Sequence, residues 1–89
     1  MDKVTVLFYG SALKHTGGQR FYEATESTSI RLLIDELGRH YGAAFKDFLQ
    51  NREECFFLIN GQGLMQTGGL DSGLNPGDNV DILPHAEAG

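Results

Sequence analysis

One stretch constrains the fold more than any other: a single strongly amphipathic helix set among short strand-like runs. Ser27-Thr28-Ser29 supplies an N-cap, and Ile30, Leu33, Ile34, Leu37 and Tyr41 follow at offsets of zero, three, four, seven and eleven. That spacing lays one apolar stripe along a helix, and a Ser or Thr at the start accepts a bond from the first free amides. Gly42 stands where a left-handed C-cap belongs. A helix with one stripe needs one apolar sheet face to cover it. Residues Ala43 to Leu49 add a short second helix anchored by Phe45 and Leu49.

The flanking runs supply that sheet. Val4, Val6 and Phe8 alternate with Thr5, Leu7 and Tyr9, the pattern of a strand whose second face is also mostly apolar. A loop with Gly17-Gly18 leads to a second run, Gln19 to Ala24, with Tyr22 and Ala24 favoured as the inward pair. Cys55 to Ile59 forms a third strand, and Asn60-Gly61 is a turn dipeptide after which a weak strand around Gly63 to Gln66 returns. Gly68 to Gly77 reads as loop, with Leu70 and Leu74 tucked under the domain, and Asn79 to Leu83 is the last strand. The order leaves the first strand free to pair with the last in parallel through a right-handed crossover. One mixed sheet of about five strands on one main helix is a two-layer α+β domain, the β-grasp (ubiquitin-like) roll.

Composition narrows the function classes. Eighty-nine residues make one domain with a modest core. Seven Lys and Arg against twelve Asp and Glu give a net charge of -5. That balance argues against nucleic acid or an anionic membrane as partner, since both call for a basic face. No apolar run approaches the ~20 residues of a membrane span, and Met1-Asp2-Lys3 lacks a signal-peptide layout. A single cysteine excludes an internal disulfide and suggests a cytoplasmic setting. Cys55, in an apolar run, reads as a buried structural thiol. His15, His40 and His85 have no ligand spacing and read as surface histidines, so no metal site is expected. No catalytic constellation is expected either.

The chain closes as Pro84-His85-Ala86-Glu87-Ala88-Gly89. The division expected is a folded domain over residues 1–83 and a flexible tail over 84–89. Small residues ending on glycine make a thin thread with an unhindered carboxylate, which suits a terminus that is itself a reacting group.

Several segments, taken in order, carry a resemblance: Val6-Leu7-Phe8-Tyr9-Gly10, the helix start at Ser29-Ile30, Ile59-Asn60-Gly61, Pro76-Gly77-Asp78-Asn79-Val80 and the tail from Pro84 to Gly89. Over nearly its whole length the chain resembles the MoaD and ThiS family of ubiquitin-like sulfur carriers, and MoaD, the small subunit of molybdopterin synthase, most. The resemblance implies that Gly89 is adenylated by an E1-like (MoeB-like) activating enzyme using ATP, then converted to a thiocarboxylate by a sulfur donor. It further implies that Pro84, His85, Ala86, Glu87 and Ala88 form an arm inserted into a MoaE-like large subunit, where the sulfur serves molybdenum or tungsten cofactor synthesis. No stably bound cofactor is implied. The family ends in Gly-Gly, whereas this chain ends Ala88-Gly89.

A one-helix, one-sheet domain buries one sheet face only. With Val4, Val6, Phe8, Phe57, Ile59, Val80 and Ile82 inward, Leu7, Tyr9, Phe56, Leu58 and Leu83 point outward, an apolar group expected to be a partner-docking patch. Two further functions fit the same residues: a noncovalent β-grasp interaction module with an inert tail, and a protein modifier joined through Gly89 to a lysine.

Overall fold

The computed structural model describes residues 3–51 and 53–85. Five strands form one sheet: β1 (Val4–Phe8), β2 (Phe21–Ala24), β3 (Cys55–Ile59), β4 (Gln62–Gly63) and β5 (Asn79–Pro84). Their spatial order is β2-β1-β5-β3-β4. β1 and β5 run parallel, as expected, and the other neighbours are antiparallel.

The predicted helix is α2 (Ile30–Tyr41), after a four-residue turn of helix α1 (Ala12–His15) that the sequence did not suggest. Ser29 caps α2 by accepting from the Leu32 amide at 3.2 Å. Gly42 ends it at φ 114° and ψ 167°. This is not the left-handed cap expected but an extended conformation open essentially to glycine alone. It turns the chain at once into α3 (Ala43–Gln50). The two helices touch closely at Gly38, where a Cβ would stand 2.9 Å from the Lys46 Cβ.

Ile30, Leu33, Ile34 and Leu37 are buried, together with Val4, Val6 and Phe8 of β1, Phe57 and Ile59 of β3, and Val80 and Ile82 of β5. Phe45, Phe48 and Leu49 of α3 join the same core, with Phe45 5.7 Å from Phe8, ring centre to ring centre. The second helix therefore lies with the first, on the inner side of the sheet.

The Asn60-Gly61 turn forms as read, with φ of 50° and 85°, and these positive angles explain the residue choice. The strand expected to return over Gly63 to Gln66 is corrected. β4 stops at Gly63, and Leu64–Thr67 forms a turn of helix, α4, followed by a 3₁₀ turn at Gly69–Asp71. Met65 is left almost wholly exposed while Leu64 and Leu70 pack against the core. Leu74 is buried, as predicted.

Candidate functional site

Period-two alternation in three adjacent strands builds the outward face. Leu7 lies opposite Phe21 on one side and Asp81 on the other. Asp81 in turn faces Leu58, and Leu83 faces Phe56. Tyr9 continues from β1, its amide donating to the Ile82 carbonyl at 3.1 Å. The structure thus brings all five predicted patch residues to one face of the sheet. Leu7, Leu58 and Leu83 are half-buried, while Tyr9 is 41% and Phe56 37% exposed.

Two members of this face were not singled out from the sequence. Phe21 is 58% exposed, the largest opening of any Phe or Tyr described. Its place follows from setting Tyr22 and Ala24 inward, which the burial of Ala24 bears out. Asp81 is the other, half-buried among apolar neighbours. Its Oδ1 accepts from the Tyr9 hydroxyl at a long 3.4 Å. Burial, the Asp81 charge and the bond between the two groups all raise the Tyr9 phenol above its ordinary value.

The exit from the sheet differs from expectation. Pro84 is the last residue of β5, opposite Cys55, and the His85 amide donates to the Glu54 carbonyl at 3.1 Å. The His85 ring rests 4.9 Å from that of Phe56. The antiparallel pairing with β3 therefore holds Pro84 and His85, which the sequence placed at the start of the free arm. Ala86, Glu87, Ala88 and Gly89 lie outside the described residues. Past Phe56 and His85 the face opens into a cavity of about 660 Å³, also lined by Leu49, Leu64, Met65 and Leu70. It sits where β4 pairs with only Leu58 and Ile59, so that among the described residues no strand lies beyond the Cys55–Phe57 edge of β3.

Cys55 is buried, its Sγ donating to the Phe48 carbonyl at 3.4 Å. Burial, then the Glu54 charge, pushes its thiol up to about 11, so almost none is thiolate near neutrality. His15 is not a surface histidine: it is half-buried, stacked on Phe45 at 5.3 Å and tilted against Phe48 at 4.9 Å, ring centre to ring centre. Among the described residues no three of His, Cys, Asp or Glu gather as a metal-ligand set. Nor is any described helix long and apolar enough to cross a membrane.

A mixed sheet with the first and last strands parallel at its centre, helices on one face and an apolar surface on the other, defines a ubiquitin-like β-grasp protein. The chain belongs to the ThiS family, of the MoaD/ThiS type of ubiquitin-like sulfur carriers, whose family model matches residues 6–87. Among solved structures it is similar to CysO of Mycobacterium tuberculosis, described as an antigen, at 26% identity and a TM-score of 0.80, covering 91% of this chain and 97% of that one. The CysO-containing BexX/CysO complex of Amycolatopsis orientalis matches at 24% identity and a TM-score of 0.77, over 91% and 93% of the two chains. A Pyrococcus furiosus protein described as molybdopterin converting factor subunit 1 matches at 22% and 0.66, over 94% and 98%. No curated protein matches the chain.

Proposed function

We propose that this chain is a cytoplasmic sulfur carrier whose Gly89 carboxylate is adenylated and converted to a thiocarboxylate, and that it serves as the small subunit of a molybdopterin synthase-type complex. The observation that carries the reading is the joining of an apolar docking face to the strand that leads into the tail. β5 supplies Asp81 and Leu83 to that face and then delivers the chain past Phe56. A protein seated on the face would receive the tail at a fixed distance and angle, which is how a small substrate-bearing arm is positioned for reaction.

The chemistry asks little of this chain. A carboxylate is a poor electrophile; its oxygen attacks the α-phosphorus of ATP, pyrophosphate leaves, and the acyl-adenylate now carries a good leaving group. Persulfide sulfur then displaces AMP from the acyl carbon, and a thiol cleaves the resulting S–S bond to free the thiocarboxylate. The E1-like activating enzyme holds the ATP, and a MoaE-like large subunit accepts the sulfur. The buried, undissociated thiol of Cys55 takes no part. The similarity to the BexX/CysO complex and to the converting-factor subunit supports a larger protein partner of this kind.

The test is the intact mass of the protein purified from its own cells. One oxygen exchanged for sulfur is expected. Attachment to lysines of other proteins would make it a modifier, and unmodified chain beside a competent activating enzyme would make it a noncovalent module. Deleting Gly89 is expected to abolish ATP-dependent adenylation while leaving thermal unfolding unchanged. Ala88→Gly examines the departure from the family: no gain means that the activating enzyme holds the tail extended, where alanine is as acceptable as glycine.

A further inference from the structure

Toward the end of the sheet that leads into the tail, the outward positions Leu7, Tyr9, Phe21, Phe56, Leu58 and Leu83 are aliphatic or aromatic and Asp81 alone is charged, whereas Thr5, Glu23 and Asn79 lie at the opposite end. That one charge defines what can dock there. Asp81 sits on the middle strand of the sheet, with Leu7 directly opposite in β1 and Leu58 directly opposite in β3. Phe21 extends the same row beyond Leu7, and Leu83, opposite Phe56, stands two residues further along β5. The carboxylate has one described hydrogen bond, from the Tyr9 hydroxyl, long at 3.4 Å. Among the described residues the ion pairs join Lys3 to Glu23, Arg31 to Asp71, Arg39 to Glu26 and Lys46 to Asp35, and none reaches Asp81. Arg20, next to Phe21 in the chain, lines a small hollow with Leu7 and Tyr9, and its carbonyl accepts from the Phe8 amide on the side of β1 away from β5. Two strand spacings, roughly 10 Å, separate β5 from β2, which begins just after Arg20.

In the free protein water solvates this carboxylate. A partner covering Leu7, Leu58, Phe56 and Leu83 removes that water, and a single long bond from Tyr9 does not replace it. Leaving a carboxylate unpaired under an apolar interface costs several kcal/mol, enough to cancel much of the gain from the surrounding side chains. A docking face of this composition closes favourably only onto a surface that is apolar at its rim and cationic at its centre.

Resting on the reading of this face as the carrier's docking surface, we infer that its partner places an arginine or lysine side chain on Asp81, so that Asp81 selects among apolar partners by charge. The occupant is a protein surface with one basic residue ringed by apolar ones. The neutral replacement of Asp81 would forfeit the pair and leave the partner's cation buried instead. An apolar replacement would be worse, although it would make the face uniformly hydrophobic.

The experiment measures binding of the full chain to the activating enzyme of its own cell at two salt concentrations. Asp81→Asn, which keeps an acceptor for Tyr9, is expected to weaken binding about thirtyfold and to flatten its salt dependence. Asp81→Leu is expected to weaken it at least as much, and Asp81→Lys more. Reversing the charge of the contacted basic residue in the enzyme should restore binding to Asp81→Lys, a coupling that only direct contact produces. Unchanged or tighter binding by Asp81→Leu overturns the inference while leaving the docking face and the sulfur-carrier reading intact. So does an equal loss in Arg20→Ala, which would show that the chain supplies its own counter-charge. If the unaltered protein does not bind the enzyme at all, the proposed function falls, and this inference with it.

Discussion

Glu36 shows how one buried charge fixes a loop. It lies on α2, only 6% exposed, yet every described bond to it stabilises the ionised form. Ser27 Oγ donates to Oε1 at 2.7 Å and the Tyr22 hydroxyl to Oε2 at 2.8 Å, with the amides of Thr25 and Glu26 at 3.4 and 3.3 Å. Burial pulls its pKa upward, but the bonds from Ser27, Tyr22 and the two amides outweigh it, and the net displacement is downward. The reciprocal effect on Tyr22, from burial and then from its bond to Glu36, pushes that phenol up to about 12. A depressed folded-state pKa means that the stabilisation is fully present above the ordinary glutamate value of about 4.3. It is lost as pH falls through the lower folded value. Glu36→Gln is therefore expected to cost about 1–3 kcal/mol at neutral pH, a deficit that shrinks as the medium is acidified. Denaturant unfolding of both proteins between pH 7 and pH 3 reads it directly; a constant difference across that range would mean that Glu36 is held as the neutral acid.

At the scale of elements, the α2–α3 contact is close at Gly38, of the described glycines the one where an added Cβ would come within 3.0 Å of a neighbour. Glycine inside a helix ordinarily loses about 1 kcal/mol to alanine, so Gly38→Ala would be stabilising on an isolated helix. Here the added carbon meets the Lys46 Cβ at 2.9 Å, and that atom is rooted in the backbone rather than at a yielding side-chain tip. Overpacking costs about 1–3 kcal/mol, so the expected outcome is a net loss of up to about 2 kcal/mol in thermal or denaturant unfolding, and a gain would show that α3 shifts freely. Elements whose signal is repeated were the legible ones. α2 shows its stripe over three turns, β3 is an unbroken apolar run, and β5 alternates Val80 and Ile82 with Asn79 and Asp81. The segment after Gly63 was misread because four residues cannot separate period two from period 3.6. What decides it is tertiary: Ser72 Oγ donates to the Gly69 carbonyl at 2.6 Å and meets Thr67 Oγ1 at 2.7 Å, a partly buried knot that closes the helical turn. α1 was invisible for a related reason, since Ala12 is its only fully buried residue.

For the whole molecule, the decisive property is that one sheet face is covered by helices and the other by nothing among the described residues. Phe56→Ser and Phe21→Ser are expected to leave the unfolding transition in place and to weaken binding to the activating enzyme by more than tenfold, about 1.4 kcal/mol. Serine is preferred to aspartate at Leu7 or Leu58, because a new carboxylate there would stand directly opposite Asp81. A collapse of folding with unchanged binding would place these rings in the core instead. The face was readable because strand alternation assigns sides without any knowledge of pairing. The neighbours of Asp81, and the hold of β3 on Pro84 and His85, were not, because register is set by contacts between strands far apart in sequence. That same register governs how the molecule comes into being. β5 follows every other described element yet occupies the middle of the sheet, between β1 and β3. Until it is made, a growing polypeptide has two half-sheets with no seam between them, and long-range pairings of this kind are slow to form. A chain broken off before β5 would lack its central strand and, on the function proposed above, the tail that reacts, so no unfinished copy would offer that tail to an activating enzyme.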